Sequence, residues 1–183
     1  YDFLPRSPKV NLEGYLFPDT YQFGNVSTKE VVETMLDNFE SKVYSRFKNA
    51  APHDFNETII MASMLEEEVR TPKDMKLVSG ILHKRLETGV ALQVDATLVY
   101  IKCFLLNRPD CRSIANTDKE IKSLYNTYLY PGLPPGPISN PGLLAVEAAF
   151  DPEGSPYLYY HSARDDARTI FSRTLEEHNL NRS

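Results

Sequence analysis

Apolar residues recur at helical spacing in three successive stretches of the chain. In the first, Val31, Met35, Phe39, Val43 and Phe47 share one stripe, and Ser27-Thr28-Lys29-Glu30 supplies a capping box at its start, which predicts a helix to about Lys48. A second helix is predicted from about Phe55 to Val69, with Asp54 in the N-cap position and Glu57 three residues later. The third starts at Thr71-Pro72, a cap followed by proline at the first helical position. It carries Leu77, Val78, Ile81, Leu82 and Leu86 inward and stops at Gly89. The period then changes. Val90 to Val94 reads as a short strand, with Leu92 on one face and Gln93 on the other. Asp95 allows two readings. If the strand continues, Gln93, Asp95 and Thr97 point to one side; in the preferred reading Asp95 caps a helix from Thr97 to about Phe104.

Residues 105–124 are polar and irregular, a surface excursion with one short helix. Between Pro131 and Pro137 lie four prolines and two glycines, which excludes helix and central strand. A loop stiffened in this way can hold binding groups in place, and Tyr125, Asn126 and Thr127 precede it with an aromatic face and hydrogen-bonding groups. Asn140 with Pro141 starts a further helix to about Phe150, Asp151 to Gly154 forms a turn, and Tyr157–His161 and Thr169–Ser172 read as a hairpin. A short helix covers Leu175 to about Leu180. The first 25 residues are rich in proline and aromatics and read as an extended segment ahead of a domain over residues 26–183. Tyr15, Phe17 and Tyr21 there either cover the core or wall a carbohydrate groove. The expected class is α+β: helices on a small mixed or antiparallel sheet, a C-terminal hairpin, and a proline-rich loop lining a cleft.

One polar group disturbs the pattern. Wound at about 100° per residue, the second helix places Glu66 and Glu67 either side of Ser63, on a polar edge. Glu68 instead stacks over Leu65, Met64 and Met61. Apolar neighbours penalise a carboxylate's charged form and raise its pKa, which is how a carboxylic acid stays protonated near neutrality and ready to protonate a leaving group. The competing reading is a boundary residue with its head in water.

Composition narrows the field. A chain of 183 residues fits one domain. A net charge of −5 argues against a general nucleic-acid binder. No run of about 18 apolar residues exists to span a membrane. Cys103 and Cys111 are either a disulfide or two thiols. They match no zinc spacing, and His53, His83, His161 and His178 are scattered, so no metal site is expected.

Several motifs occur together and in order: Glu13-Gly14-Tyr15-Leu16-Phe17-Pro18-Asp19-Thr20-Tyr21, Ala62-Ser63-Met64-Leu65-Glu66-Glu67-Glu68, Leu92-Gln93-Val94-Asp95-Ala96-Thr97, Tyr125-Asn126-Thr127-Tyr128, Gly132-Leu133-Pro134-Pro135-Gly136-Pro137-Ile138, Asn140-Pro141-Gly142 and Tyr157-Leu158-Tyr159-Tyr160. Over roughly Glu13 to Asn179 the chain resembles the catalytic domain of the endolytic murein transglycosylases, the YceG-like or MltG family. The resemblance implies an extracytoplasmic lytic transglycosylase that cuts peptidoglycan strands internally at the outer face of the inner membrane and works alongside the peptidoglycan synthases (penicillin-binding proteins). It implies no cofactor. It also implies a membrane anchor and a LysM-like region in the parent protein, neither of which falls within this sequence. The family's catalytic glutamate matches Glu68. Two departures stand out: Glu67 where a lysine is common, and Ala96 where a proline commonly follows the aspartate.

On this reading Glu68 acts first as acid and then as base. Gln93, Asp95, Thr97, Tyr125, Asn126, Thr127 and Tyr15 are the candidates for holding the glycan. Two rivals are carried forward: a muramidase that uses water, with Asp95 or Glu66 as second carboxylate, and a non-catalytic peptidoglycan-binding module.

Overall fold

The computed structural model describes residues 1–6, 11–50, 54–162 and 168–181; His53 and the residues joining the hairpin strands lie outside that set. The first stripe forms α1 (Thr28–Phe39), which runs through a π-helical turn (Glu40–Tyr44) into a last turn, α2 (Ser45–Phe47). Its start is the capping box expected: the Ser27 hydroxyl accepts from the Glu30 amide, and the Glu30 carboxylate accepts from the Ser27 amide. Next come α3 (Phe55–Glu68), capped by Asp54, and α4 (Pro72–Glu87), capped by Thr71. Then come α5 (Asp95–Tyr100), continued by a π-helical turn (Ile101–Leu105), a 3₁₀ helix (Asn116–Glu120), α6 (Leu143–Phe150), strands β1 (Tyr159–Ser162) and β2 (Thr169–Ser172), and α7 (Leu175–Asn181).

The fold is α+β, and α3 is its axis. Thr58, Ile59 and every residue from Met61 to Leu65 are buried, because α6, α5 and α4 all pack against it. Ser63 is therefore not on an open edge. Its hydroxyl accepts from the Ile138 amide (3.0 Å) and its carbonyl accepts from the Ser139 hydroxyl (2.9 Å), which docks the proline-rich loop on α3. The Ala-rich face of α6 (Ala145, Ala148, Ala149) allows close approach to both α3 and α4. At Gly80 of α4, an added Cβ would run into the Glu153 carbonyl of the following turn, whose amide already bonds Lys76 O (3.0 Å). Gly14 is fixed for a similar reason: its φ is +91° and Pro137 occupies the space a side chain would need.

Two expectations fail here. Val90–Val94 is not a strand: the described sheet consists of β1 and β2 alone, antiparallel, pairing Tyr159 with Ser172 and Ser162 with Thr169. A strand needs a partner edge. Here a side chain stands in for one, since the Arg85 guanidinium donates to Ala91 O (3.2 Å) and Leu92 O (2.8 Å), and Gln93 then turns to φ +56°. The second failure is Asn140, which does not cap α6. Its Oδ1 accepts from the Gly14 and Leu16 amides (2.8 and 3.2 Å), tying the N-terminal segment down, and Gly142 takes the N-cap position. Of the two readings of the N-terminal aromatics, the core-covering one holds, which removes Tyr15 as a sugar contact. Tyr15 is buried between Phe3 and Phe39 with its hydroxyl donating to Asn56 Oδ1 (3.0 Å), and Phe17 is also buried, so both rings cover core.

The excursion after α5 is held internally. Lys102 is buried and donates to Asp118 (2.8 Å) and Ser113 O (2.6 Å). Cys103 and Cys111 are disulfide-bonded, with Cα atoms 4.8 Å apart. The bond closes a small loop, worth ~2–3 kcal/mol in the chain-entropy model. Thiol titration of the unreduced, denatured protein is expected to find no free thiol, and Cys103→Ser is expected to lower stability by about that amount in urea unfolding. Two free thiols would show the bond absent.

Candidate active site

The last turn of α3 carries the three glutamates into three environments. Glu67 is exposed. Glu66 is also exposed, but its Oε2 accepts from the Gly142 amide (3.0 Å), so it serves the start of α6. Glu68 is partly buried where α3 ends, α5 begins and β1 passes. Its Oε1 accepts from the Ala96 amide (3.0 Å) and its Oε2 from the Tyr160 hydroxyl (3.4 Å). Burial pushes the Glu68 carboxyl up to about 7 against the opposing pull of the Ala96 amide; the charge of Asp95 adds to the rise, the Tyr160 hydroxyl lowers it, and Glu67 raises it a little further. A carboxyl poised there can donate a proton and take one back at neutral pH.

Beside it lies the 93–95 turn. Gln93 and Asp95 are exposed. Asp95 does not cap: Val94 occupies the N-cap position, no side chain caps the helix, and Asp95 is its first residue. Its carboxylate instead accepts from the Tyr128 hydroxyl at 2.5 Å. That leaves Asp95 on the surface near Glu68, since Glu68 itself takes the amide of the first turn, at Ala96.

Thr97, Asn126 and Thr127 are buried and engaged by the protein. Thr127 Oγ1 accepts from the Val94 amide (3.0 Å) and lies 3.0 Å from Thr97 Oγ1, while Thr127 O accepts from the Gln93 amide (3.0 Å). The Asn126 side-chain amide donates to Lys119 O (3.0 Å) and Ile121 O (2.8 Å), and its Oδ1 accepts from the Tyr128 amide (3.0 Å). Thr97 and Thr127 fasten the 126–128 turn to the 93–95 turn, and Asn126 fastens it to the 119–121 segment; they shape the surface from behind. Tyr125 is half-buried with its ring 5.0 Å from that of Tyr100 and its hydroxyl at Gly136. The charge of Glu13 reaches both Tyr125 and Tyr100, and Glu13 is itself pushed up by burial and by Glu67.

Tyr128 and Tyr160 are the neighbours that sequence reasoning did not select. Strand alternation sets Tyr159 and Tyr160 on opposite faces, but nothing in the sequence says which face meets α3. Among the described residues no group of three His, Cys, Asp or Glu side chains is arranged to hold a metal ion. A shallow hollow bounded by Glu57, Met61, His83 and Leu133 lies at the first turns of α3, away from Glu68.

The model of the YceG-like family matches residues 4–183. The chain is 34% identical over 182 residues to a Bacillus subtilis protein named endolytic murein transglycosylase, covering 97% of this chain and 49% of that one. It is 31% identical over 177 residues to a Streptococcus pneumoniae protein of the same name, covering 94% of this chain and 32% of that one. The chain therefore spans half or less of the length of these relatives. A crystal structure of a yceG-like protein from Listeria monocytogenes superposes with a TM-score of 0.85 at 34% identity, over 97% of this chain and 57% of that one.

Proposed function

The chain belongs to the YceG-like family, and from that premise we propose that it is the catalytic domain of an endolytic lytic transglycosylase acting on peptidoglycan outside the cytoplasm. The bond cut is the β-1,4 link from N-acetylmuramic acid to N-acetylglucosamine. Glu68, protonated, gives its proton to the bridging oxygen as the muramic C1–O bond breaks. The ring passes through an oxocarbenium-like state. Glu68, now ionised, removes the proton from the muramic C6 hydroxyl, and O6 closes on C1. The 1,6-anhydro end forms, the glucosamine 4-hydroxyl leaves, no water is consumed, and Glu68 ends protonated as it began. The observation that carries this reading is the partly buried Glu68 carboxyl at the end of α3, with one oxygen on the Ala96 amide and the other on the Tyr160 hydroxyl, while Glu66 is committed to α6.

On this proposal the exposed Gln93 and Asp95 and the half-buried Tyr125 are the groups that contact the sugar. The relatives' names, endolytic murein transglycosylase, favour transglycosylation over hydrolysis; one feature favours the muramidase. Asp95 is free of capping duty and close enough to Glu68 to raise its pKa, as a second carboxylate in a hydrolase would be. Digestion of purified peptidoglycan, with mass analysis of the fragments, separates the readings. The expected product carries anhydro-muramic ends, each lighter by one water than a reducing end, in fragments of internal cleavage. Reducing ends would convert the proposal to hydrolysis, and intact strands would leave a binding module. Anchoring to the membrane and association with the peptidoglycan synthases belong, on this proposal, to the longer parent protein; among the described residues no helix is long and apolar enough to cross a membrane.

A further inference from the structure

Lone acid–base catalysis sets Glu68 a problem that a pair of carboxylates would divide. One side chain must hold a proton in the right place, lose it, and then be a competent base without turning away. Its two oxygens are held from two different elements. The Ala96 amide, at the start of α5, reaches Oε1; the Tyr160 hydroxyl, on β1, reaches Oε2. An amide N–H is a fixed donor, so it marks Oε1 as the carbonyl-like oxygen and leaves the acidic proton to Oε2. Tyr160 sits on that oxygen. At 3.4 Å the bond is long, as suits a neutral acid, and hydrogen bonds to charged groups are both shorter and stronger.

We propose that Tyr160 is a positioning residue for Glu68: its hydroxyl orients Oε2 in the acid form and tightens onto it when Glu68 becomes ionised, so that the base form is held for the second proton transfer. Tyr160 can fill this role because it stays a donor. Burial and the Glu68 charge both hold its own hydroxyl well above the usual tyrosine range. The surrounding charges are Glu67 on α3, Asp95 on α5, Arg85 on α4 and the Tyr128 hydroxyl, and all but the Arg85 cation oppose ionisation of the Glu68–Tyr160 pair. Tyr160 and the Ala96 amide are thus the groups that stabilise a carboxylate at Oε2 and Oε1. The backbone of Tyr160 is held by pairing with Phe171 in the hairpin, and its side chain packs against the core independently of its hydroxyl. Removing the oxygen alone is therefore a clean change.

The inference rests on the transglycosylase reading, so its test has one arm that needs no turnover. In the first arm, the Glu68 side-chain carboxyl is titrated by carbon-13 NMR in the free wild type and in Tyr160→Phe. Loss of a donor to the ionised form raises the pKa, and a hydrogen bond of ordinary strength corresponds to a rise of roughly 0.5–1 pH unit. In the second arm, cleavage is followed against pH. Glu68 must be protonated to start, so activity falls as pH rises through its pKa, and that alkaline limb is expected to move up by the same amount. At its optimum the variant is expected to lose about tenfold in kcat with KM little changed, because Tyr160 acts through Glu68 and not on the sugar. At pH 5, where folded Glu68 is protonated in both proteins, the melting temperature is expected to stay at the wild-type value. An unmoved Glu68 titration in a well-folded Tyr160→Phe protein overturns the inference whatever the enzyme does. Failure of the wild type to cut peptidoglycan overturns the reaction instead, and the NMR arm still decides the role of Tyr160. A rise in KM with kcat and the pH limb unchanged would make Tyr160 a sugar contact and also overturn it.

Discussion

Glu68→Gln is expected to reduce glycan cleavage by about 10²–10⁴-fold for each proton transfer it serves, leaving no product above background in an overnight digest, while the fold persists. The amide keeps the carbonyl oxygen that accepts from Ala96 and the volume that fills the site, but it cannot give a proton or take one back. Stability sharpens the test. A group whose folded pKa is raised contributes stability that is fully present below its unfolded pKa, near 4.5, and lost as pH rises through its folded pKa, about 7 for Glu68. The penalty at pH 8 is on the order of 3 kcal/mol, from a rise of roughly 2.5 units. Glutamine carries no such penalty. Glu68→Gln is therefore expected to match wild type in stability near pH 4.5 and to exceed it at pH 8, as seen in urea midpoints at the two pH values. An active Glu68→Gln protein would remove Glu68 from the mechanism. A variant less stable than wild type at pH 8 would show that the carboxylate is not the buried, costly group described.

Position on the helix made Glu68 legible. In a 3.6-residue period Glu68 shares a face with Leu65, Met64 and Met61, and the structure leaves it partly buried while Glu66 and Glu67 are exposed. The caps at Ser27, Asp54 and Thr71 were legible for a similar reason, since each acts on amides two or three residues away. What the pattern could not show was contact across the chain. Thr97, Asn126 and Thr127 look like surface polar residues in sequence, yet Thr97 and Thr127 bond each other across 30 residues and Asn126 takes up the carbonyls of Lys119 and Ile121. Asp95 and Asn140 both look like caps, and both have their carboxyl or amide oxygens taken by partners more than 30 residues away. Tyr15 has the ring and position of a sugar platform, but its burial depends on Phe3 and Phe39 closing over it. Local signals compete with such long-range partners, and a short polar side chain goes to whichever donor the fold brings closest. The resemblance to a family carried the chemistry further than residue types could, and it too is silent on Tyr160.

Arg85 shows how much of the site depends on a residue that never touches it. Its side chain is buried on α4, where leucine or methionine would fit the apolar face, and its guanidinium donates through Nε and Nη2 to Leu158 O (3.1 and 2.9 Å) and through Nη1 to Ala91 O and Leu92 O. It also lies 5.1 Å from the centre of the Tyr159 ring. One planar fork thus joins the segment leading to Gln93 and Asp95 with the segment leading to Tyr160, and satisfies three carbonyls. Lysine has a single point charge and cannot reach all three. Methionine would fill the volume but leave the carbonyls buried without donors, at about 1–3 kcal/mol for each group. Arg85→Met is expected to lower unfolding stability by roughly 3–5 kcal/mol, a large part of the ~5–15 kcal/mol typical of a domain, with Arg85→Lys intermediate. The measurement is the urea midpoint at constant m-value. Because both flanks of Glu68 are released, cleavage at a temperature where the variant is still folded is expected to fall as well. A loss under about 1 kcal/mol in Arg85→Met would mean that water replaces the guanidinium at these carbonyls, and that the 91–94 turn holds its shape through Thr127 alone.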